Sequence, residues 1–141
     1  DDDEGSFYGI YGALFNTLDK QEQSASLAAG KETFKAAPPF GASDAGWDAV
    51  KAFYAHWNIF ATLKVFAWVD EYNLAEAGNR KVRRLMEEEN KKLRRAEARE
   101  LNETVRQLIQ FMRKRDKRYI KHAAEQAKLE KQKEAAAGRK R

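Results

Sequence analysis

The chain has 141 residues, no cysteine and a formal net charge of +5. This length suits one ordinary domain, or a small domain with an extended arm. The lack of cysteine excludes disulfides, thiolate zinc sites and cysteine nucleophiles, and no apolar run approaches the roughly 20 residues that a membrane-spanning helix needs. The start at Asp1, with neither a methionine nor a basic leader, indicates an internal segment of a longer protein.

Charged and aromatic residues divide the chain at about residue 77. Residues 1–76 include 12 acidic and 5 basic residues, a net charge of −7, whereas residues 77–141 include 10 acidic and 22 basic residues, a net charge of +12. Of the 16 aromatic residues, 14 lie in the first part. The composition therefore predicts a first part that buries aromatic side chains in a core and a second part that binds anionic partners.

The first predicted element is a helix from about Ser6 to about Ala29, after a flexible acidic lead-in at residues 1–6. Large apolar residues recur there at helical spacing along one stripe. The stripe consists of Phe7, Tyr8, Tyr11, Leu14, Phe15 and Leu18. Gly30 provides a stop, and the paired prolines Pro38 and Pro39 predict an extended loop.

A second helix is predicted to begin near Asp44 or Trp47. Its apolar positions are mostly aromatic: Trp47, Val50, Phe53, Tyr54, Trp57 and Phe60. Each ring can bury about 150–250 Å², so this helix is expected to supply most of the hydrophobic driving force. Residues 61–72 mix alternating and adjacent apolar residues, which indicates an irregular or partly strand-like connection packed on the core.

Strong helix formers dominate from about Leu74, with only Gly78 and Gly138 as breakers, which predicts one or two long helices over residues 75–137. An apolar stripe in the middle of this run is expected to pack on the aromatic core; it comprises Leu101, Val105, Leu108, Ile109 and Met112. Residues after Asp116 are expected to continue as a solvated helix that frays towards Gly138. The predicted fold is all-α, a small helical bundle with an aromatic core and a long basic helical arm.

No residue pattern indicates catalysis, a metal centre or a cofactor, so the chain is predicted not to be an enzyme. The two histidines, His56 and His122, lie 66 residues apart with no cysteine in the chain, and His56 is interpreted as structural. The carboxylates at 70–71 and 87–89 are neighbours in sequence and do not converge on one ion, which favours a solvated, ion-paired face. No glycine-rich phosphate-binding loop is present.

The strongest chemical signal is a cationic run from Arg80 to Arg118, with 15 basic and 7 acidic residues. Two clusters, at 80–84 and 91–95, repeat at an interval of 11 residues, which is about three helical turns and predicts a positive ridge. Arginine presents forked donors to phosphate oxygens, and such contacts suit shape-driven recognition of folded RNA. The predicted nucleic-acid-binding residues are Arg80, Lys81, Arg83, Arg84, Lys91, Lys92, Arg94, Arg95, Arg99, Arg113, Lys114 and Arg115.

Other interpretations of the basic run stay open at this point. A charged helix whose ion pairs only keep a long rod soluble has the same composition. An anionic membrane is a weaker candidate, because the helix lacks the bulky apolar face that interfacial insertion needs. Glu89 and Ala96 interrupt the apolar pattern that a coiled-coil partner requires.

Several spaced motifs resemble the zuotin homology domain of J-domain proteins. They are the run from Phe53 to Tyr72, FYAHWNIFATLKVFAWVDEY, the run from Asn79 to Lys92, NRKVRRLMEEENKK, and the stretches at 100–108 and 111–116. The resemblance covers about residues 7–120. Residues 7–11 and 38–41 look most similar to the branch that acts in cytoplasmic maturation of the large ribosomal subunit.

The resemblance implies three parts. They are an N-terminal helix and proline-containing loop at 1–46, a zuotin-like ribosome-binding helical domain at 47–118, and a basic C-terminal helix or tail at 119–141. A J domain would precede this segment and zinc fingers would follow it. The chain itself contains no His-Pro-Asp motif and no cysteine, so neither module is expected within it.

The partners implied by the resemblance are the large ribosomal subunit, contacted through rRNA and ribosomal proteins near the exit tunnel, and late biogenesis factors. A heat-shock chaperone, recruited through the J domain, would help to release and recycle those factors. The implied localisation is cytoplasmic and ribosome-bound, with nucleolar shuttling as a further expectation, and with no membrane partner and no cofactor.

Two alternatives remain beside that function: a helical rod that binds acidic protein surfaces, and a zuotin-type ribosome-associated co-chaperone for nascent chains. The chain departs from the family at one place, because Lys117 stands where relatives often carry proline. This departure leaves open whether the basic arm breaks near Asp116 or runs straight into the tail.

Overall fold

The computed structural model describes residues 6–139 as four α-helices and two short 3₁₀ turns. Helix α1 spans Phe7–Ala28, α2 spans Trp47–Asn58, α3 spans Arg80–Arg115 and α4 spans Lys117–Arg139, and the 3₁₀ turns lie at Ala67–Val69 and Leu74–Glu76. No strand occurs within residues 6–139, so the all-α prediction is confirmed and the partly strand-like interpretation of 61–72 is wrong. The predicted acidic lead-in falls, apart from Ser6, outside the described residues.

Side-chain caps explain where α1 and α3 begin. The Ser6 hydroxyl accepts a hydrogen bond from the backbone N–H of Gly9 at 3.0 Å, and the Asn79 side-chain oxygen accepts one from Val82 at 2.9 Å. Each cap satisfies one of the N–H groups that the first turn of a helix leaves unpaired. The two helix starts are therefore encoded locally.

The hydrophobic core lies where α1, α2 and the second half of α3 meet around the loop residue Phe40. Its buried members are Phe15, Phe40, Val50, Phe53, Tyr54, Trp57, Phe60, Val105, Ile109 and Met112. Ring centroids lie 4.8 Å apart for Phe15 and Trp57 and 4.7 Å apart for Phe40 and Phe53, within the range of favourable aromatic pairs. The predicted packing of the α3 stripe on the aromatic core is confirmed.

The apolar stripe of α1 is narrower than the sequence predicts. Leu14, which the spacing places on the stripe, is 40% exposed. The buried face of α1 passes through Phe15 and continues to Glu22 and Ser26, which are polar. Glu22 accepts hydrogen bonds from both Thr62 and the backbone N–H of Leu63, so this end of α1 packs through polar contacts that an apolar pattern does not reveal.

Helices α3 and α4 are separate because the backbone leaves the helical region at Asp116, with φ −75° and ψ 113°. The Asp116 N–H still donates to the carbonyl of Met112 at 2.8 Å, and its own carbonyl accepts from Ile120 at 3.0 Å. Asp116 thus ends one helix and begins the next. Of the two alternatives that the sequence leaves open, the arm is therefore the broken one.

Only the first turns of α4 pack on the bundle. The ring of Tyr119 lies 5.5 Å from that of Tyr54, and the imidazole of His122 stacks on Trp47 at 3.6 Å. Residues 123–139 are all exposed, as expected of a solvated helix, and α4 extends to Arg139. In the described part of the chain, residues 6–139, no helix combines the length and apolar character needed to cross a membrane.

Candidate nucleic-acid interface

An extended segment, residues 60–77, runs back along α3 and is called the strap. At its start, the carbonyl of Phe60 accepts a hydrogen bond from the Arg106 guanidinium at 2.9 Å. Two residues later, the backbone N–H of Thr62 donates to the side-chain oxygen of Asn102 at 2.7 Å. As the strap proceeds, its partners lie progressively earlier on α3, so the two segments are antiparallel.

The far end of the strap is fixed by two residues of α3. The Arg94 guanidinium forms two hydrogen bonds with the Asp70 carboxylate, which lower the pKa of Asp70 and raise that of Arg94. The side-chain oxygen of Asn90 accepts from the backbone N–H groups of Glu71 and Tyr72 at 3.1 Å, and its amide donates to the Tyr72 carbonyl at 2.9 Å. The first half of α3 is therefore covered on one side.

The strap divides the basic residues of α3 into two sets. An α-helix turns by about 100° per residue, which places one set on the side opposite the buried Asn90. This set, called the free face, consists of Lys81, Arg84, Lys92, Arg95 and Arg99, all of them exposed. It extends over about 27 Å at 1.5 Å per residue, and Glu88 is an acidic residue on the same line.

The remaining predicted residues of the first two clusters lie elsewhere on α3. Arg83 and Arg94 lie towards the strap, and the side chain of Arg94 is engaged there. Arg80 and Lys91 lie on the flank, about 90° from Asn90, and the ammonium of Lys91 pairs with Glu87 at 3.3 Å. The structure therefore brings together only part of the predicted ridge.

The third predicted cluster, Arg113, Lys114 and Arg115, forms the last turn of α3. It begins 14 residues beyond Arg99, or about 21 Å further along the helix. The Arg115 guanidinium lies 3.6 Å from the centroid of the Phe111 ring. Cations are favourable at a helix C-terminus because they complement the helix dipole, so this cluster has a structural role besides any contact with a polyanion.

Arg118 belongs to the cationic run by sequence, yet its side chain is buried, with 9% of the residue exposed. Its guanidinium donates to the carbonyls of Phe40 at 2.7 Å and Ala42 at 3.0 Å, and pairs with the Asp116 carboxylate at 2.9 Å. The rings of Tyr8 and Phe40 lie 4.6 and 4.5 Å from it. Arg118 thus joins α1, the loop before α2 and the start of α4.

Asp116 is the buried partner of Arg118, and no part of it is exposed. Its carboxylate accepts hydrogen bonds from the hydroxyls of Tyr54 at 2.7 Å and Tyr8 at 3.2 Å. Burial alone would raise the pKa of Asp116, but the hydrogen bonds from Arg118 and Tyr54 outweigh it and hold the pKa below its usual range. Burial and the neighbouring carboxylate raise the pKa of Tyr54 in turn.

Sequence reasoning missed this pair because both residues look like ordinary members of a charged helix. An aspartate that interrupts a run of helix formers and is followed two residues later by arginine is a weak signal for it. The histidines form no site with it: His56 is exposed on α2 and His122 stacks on Trp47. Within residues 6–139, no group of three or more His, Asp or Glu side chains could hold a metal ion.

The fold and the free face define a class of small all-α domains that present a long cationic helix. The family model for the zuotin-like zuotin homology domain matches residues 6–121. The chain belongs to this family, so the resemblance seen in the spaced motifs is confirmed.

Curated relatives carry J-protein names. The chain is 43% identical over 141 residues to DnaJ homolog subfamily C member 21 of Bos taurus, a match that covers 98% of the chain and 26% of the relative. It is 45% identical over 122 residues to the Homo sapiens protein of the same name, covering 86% of the chain and 22% of the relative. The J protein JJJ1 of Saccharomyces cerevisiae is 38% identical over 81 residues, covering 57% of the chain and 14% of the relative. The chain spans about a quarter of the length of the two mammalian relatives, and no solved structure matches it.

Proposed function

We propose that this chain is the ribosome-docking segment of a J-domain co-chaperone that acts in late cytoplasmic maturation of the large ribosomal subunit. The free face of α3 binds rRNA phosphates near the exit tunnel and places the longer protein there. A heat-shock chaperone recruited by that protein then releases and recycles late biogenesis factors. The segment itself has a binding role and no catalytic one.

The observation that carries this proposal is the free face, a line of five exposed basic residues on a helix held in one direction by the strap. Lysine and arginine side chains that neutralise phosphates release condensed counterions, which drives association with RNA. The acidic first part of the chain, with its net charge of −7, is repelled by the same polyanion. The attraction of the basic free face and the repulsion of the acidic first part together orient the molecule with α3 towards RNA.

The family supports the co-chaperone part of the proposal, because the chain belongs to the zuotin homology domain family and its relatives are named as DnaJ homologues and a J protein. The geometry supports the RNA part, because arginine and lysine on an exposed helix can each reach a phosphate without a specific base sequence.

The test is a charge reversal of the free face with a control of equal charge. The variant changes Arg84, Lys92, Arg95 and Arg99 to Glu; the control changes Lys20, Lys31, Lys35 and Lys51 to Glu, four exposed lysines of the acidic part. Both variants lose the same net charge. We expect the first to lose at least about 100-fold in affinity for purified large ribosomal subunits, because four phosphate contacts become repulsions, and the control to bind within about 3-fold of the unmodified chain.

Sedimentation binding in a salt series measures this effect. Five neutralised phosphates predict a slope of log affinity against log salt of about −3.5 to −4.5 for the unmodified chain, and a much shallower slope for the free-face variant. A salt-independent affinity, or equal losses in the variant and the control, would contradict the proposal.

One observation favours a second candidate, a rod that binds acidic protein surfaces. Leu85 is 55% exposed and lies next to the free face, and an apolar side chain among cations suits a protein surface better than phosphates. Binding to isolated ribosomal proteins after complete nuclease digestion of the subunits, with unchanged affinity, would favour this candidate over RNA.

A further inference from the structure

Trp68 is presented to solvent at the outer side of the strap. The residue is 73% exposed, whereas Trp57 is 1% exposed and Trp47 is covered by the stacked ring of His122. Large aromatic side chains are normally placed where most of their surface is buried. Of the three tryptophans, Trp68 is therefore the one whose side chain is left uncovered by the rest of the fold.

The turn before Trp68 has an unusual backbone conformation. Phe66 adopts a left-handed conformation, with φ 59° and ψ 37°, and within residues 6–139 it is the one non-glycine residue with positive φ. Such a conformation is rare for a bulky residue and strained. Phe66 is nonetheless buried, at 6% exposure, and its ring lies 5.0 Å from that of Trp68. The turn holds Phe66 inward and leaves Trp68 outward.

The position of Trp68 along α3 follows from the strap contacts on either side of it. Thr62 is bound to Asn102 and Asp70 to Arg94, so Trp68 lies level with the part of α3 between these partners. That part of α3 carries Arg95 and Arg99 of the free face. Because Arg94 and Asn90 fix the strap just beyond Trp68, the residue is held at the level of these two exposed cations along the axis of α3.

We propose that Trp68 stacks on an unpaired base of rRNA while the free face binds the neighbouring phosphates, an inference that rests on the proposed function and extends it. An indole offers a flat surface to any base, and single-stranded loops and bulges of folded RNA expose bases that aromatic side chains take up. A pocket in a protein could also receive a tryptophan. The exposed cations at the same level of α3 complement a polyanion, which favours RNA.

The test compares Trp68→Ala with a control, Ile59→Ala. Ile59 is equally exposed, at 74%, and lies directly before the first residue of the strap. The probes are two labelled RNAs with equal numbers of nucleotides, a hairpin with an unpaired adenine loop and a fully paired duplex, and fluorescence anisotropy measures affinity. We expect the unmodified chain to prefer the hairpin. Loss of one stacked base in Trp68→Ala should lower hairpin affinity between about 5-fold and about 100-fold, with duplex affinity and salt slope unchanged, and Ile59→Ala should bind both RNAs normally.

A second readout reports stacking directly. Tryptophan fluorescence of the unmodified chain should be quenched by the hairpin, and Trp68→Phe, which keeps Trp47 and Trp57, should lose the quenching while retaining part of the hairpin preference. Equal affinity for hairpin and duplex, or an unchanged hairpin affinity in Trp68→Ala, would overturn the stacking while leaving phosphate binding in place. Failure of the unmodified chain to bind either RNA would overturn both proposals. If Trp68→Ala bound both RNAs normally but lost affinity for ribosomal proteins freed of RNA, Trp68 would be assigned to a protein contact and the inference would be overturned.

Discussion

Arg118 and Arg95 are the same residue type in the same cationic run, yet one lies in the core and the other in solvent. The difference comes from their partners. Arg118 is buried because a carboxylate, two carbonyls and two aromatic rings meet its guanidinium. Such a pair adds little to stability relative to an apolar replacement, but loss of one partner is costly, because the other charge stays buried and unpaired.

Asp116→Asn therefore should destabilise the fold strongly. The substitution keeps the shape of the side chain but leaves the Arg118 guanidinium without its counter-charge, which should lower the free energy of unfolding by about 3 kcal/mol or more. Urea unfolding followed by circular dichroism measures the change. Asp48→Asn, at an exposed position of α2, is the control and should stay within about 0.5 kcal/mol. Equal midpoints for the two variants would contradict the structural role of Asp116.

The Asp116–Arg118 pair also predicts how the destabilisation by Asp116→Asn depends on pH. The pKa of Asp116 lies below its ordinary value of 3.8, so the native state favours the charged form. The contribution of Asp116 is then fully present above this ordinary value and is lost as pH falls through the lower native pKa. The difference in unfolding free energy between the unmodified chain and Asp116→Asn should narrow when the pH is lowered from about 7 to about 2. A difference that stays constant over this interval would show that the carboxylate charge is not its cause.

Among the elements, α3 and the strap depend on each other. The first half of α3 has a thin apolar stripe, with Val82 36% exposed and Leu85 55% exposed. Its order comes from helix-forming residues, the Asn79 cap and polar contacts with the strap. The strap, which has only short 3₁₀ turns, depends in turn on the side chains that α3 directs at its backbone. These mutual contacts between α3 and the strap fix the direction of the free face.

Asn90→Ala is expected to release the strap without melting α3. Alanine has the higher helix propensity, so the helix keeps its own stability, while three hydrogen bonds to Glu71 and Tyr72 are lost. Hydrogen exchange of the amides at 70–76 should accelerate by at least about 10-fold through local opening, with little change in α2. Gln107→Ala, at an exposed position of the same helix, is the control. Unchanged exchange in the strap would contradict the role assigned to Asn90.

Over the whole molecule, the bundle and the distal half of α4 have different sources of stability. The bundle is stabilised by aromatic burial and by the Asp116–Arg118 network. The second half of α4 extends from it with every residue from 123 to 139 exposed. An isolated helix of this length is marginal in water, so its order derives from the packed first turns that precede it.

Two truncations should separate these parts. Removal of residues 126–141 leaves all the packed residues in place and should change the free energy of unfolding by less than about 0.5 kcal/mol. Removal of residues 117–141 also deletes Arg118, Tyr119 and His122 and should cost more than about 3 kcal/mol, because Asp116 is left buried without its partner. Urea unfolding of both forms measures this difference. A large loss on the shorter truncation would contradict the assignment of the distal α4 as an unpacked extension.

Sequence by itself determined the first two helices, the helical character of the chain from about residue 75, the aromatic core, the charge asymmetry and the family resemblance. These depend on local propensity, on helical periodicity and on spaced motifs, all of which are read along the chain. Tertiary structure alone decided the break at Asp116, the burial of Arg118 and the engagement of Arg94. Each depends on residues far apart in sequence, such as Arg118 with Phe40 and Arg94 with Asp70. The sequence around a charged residue does not indicate whether its side chain will be paired in the folded protein. Only the fold therefore distinguishes the structural cations from those on the free face.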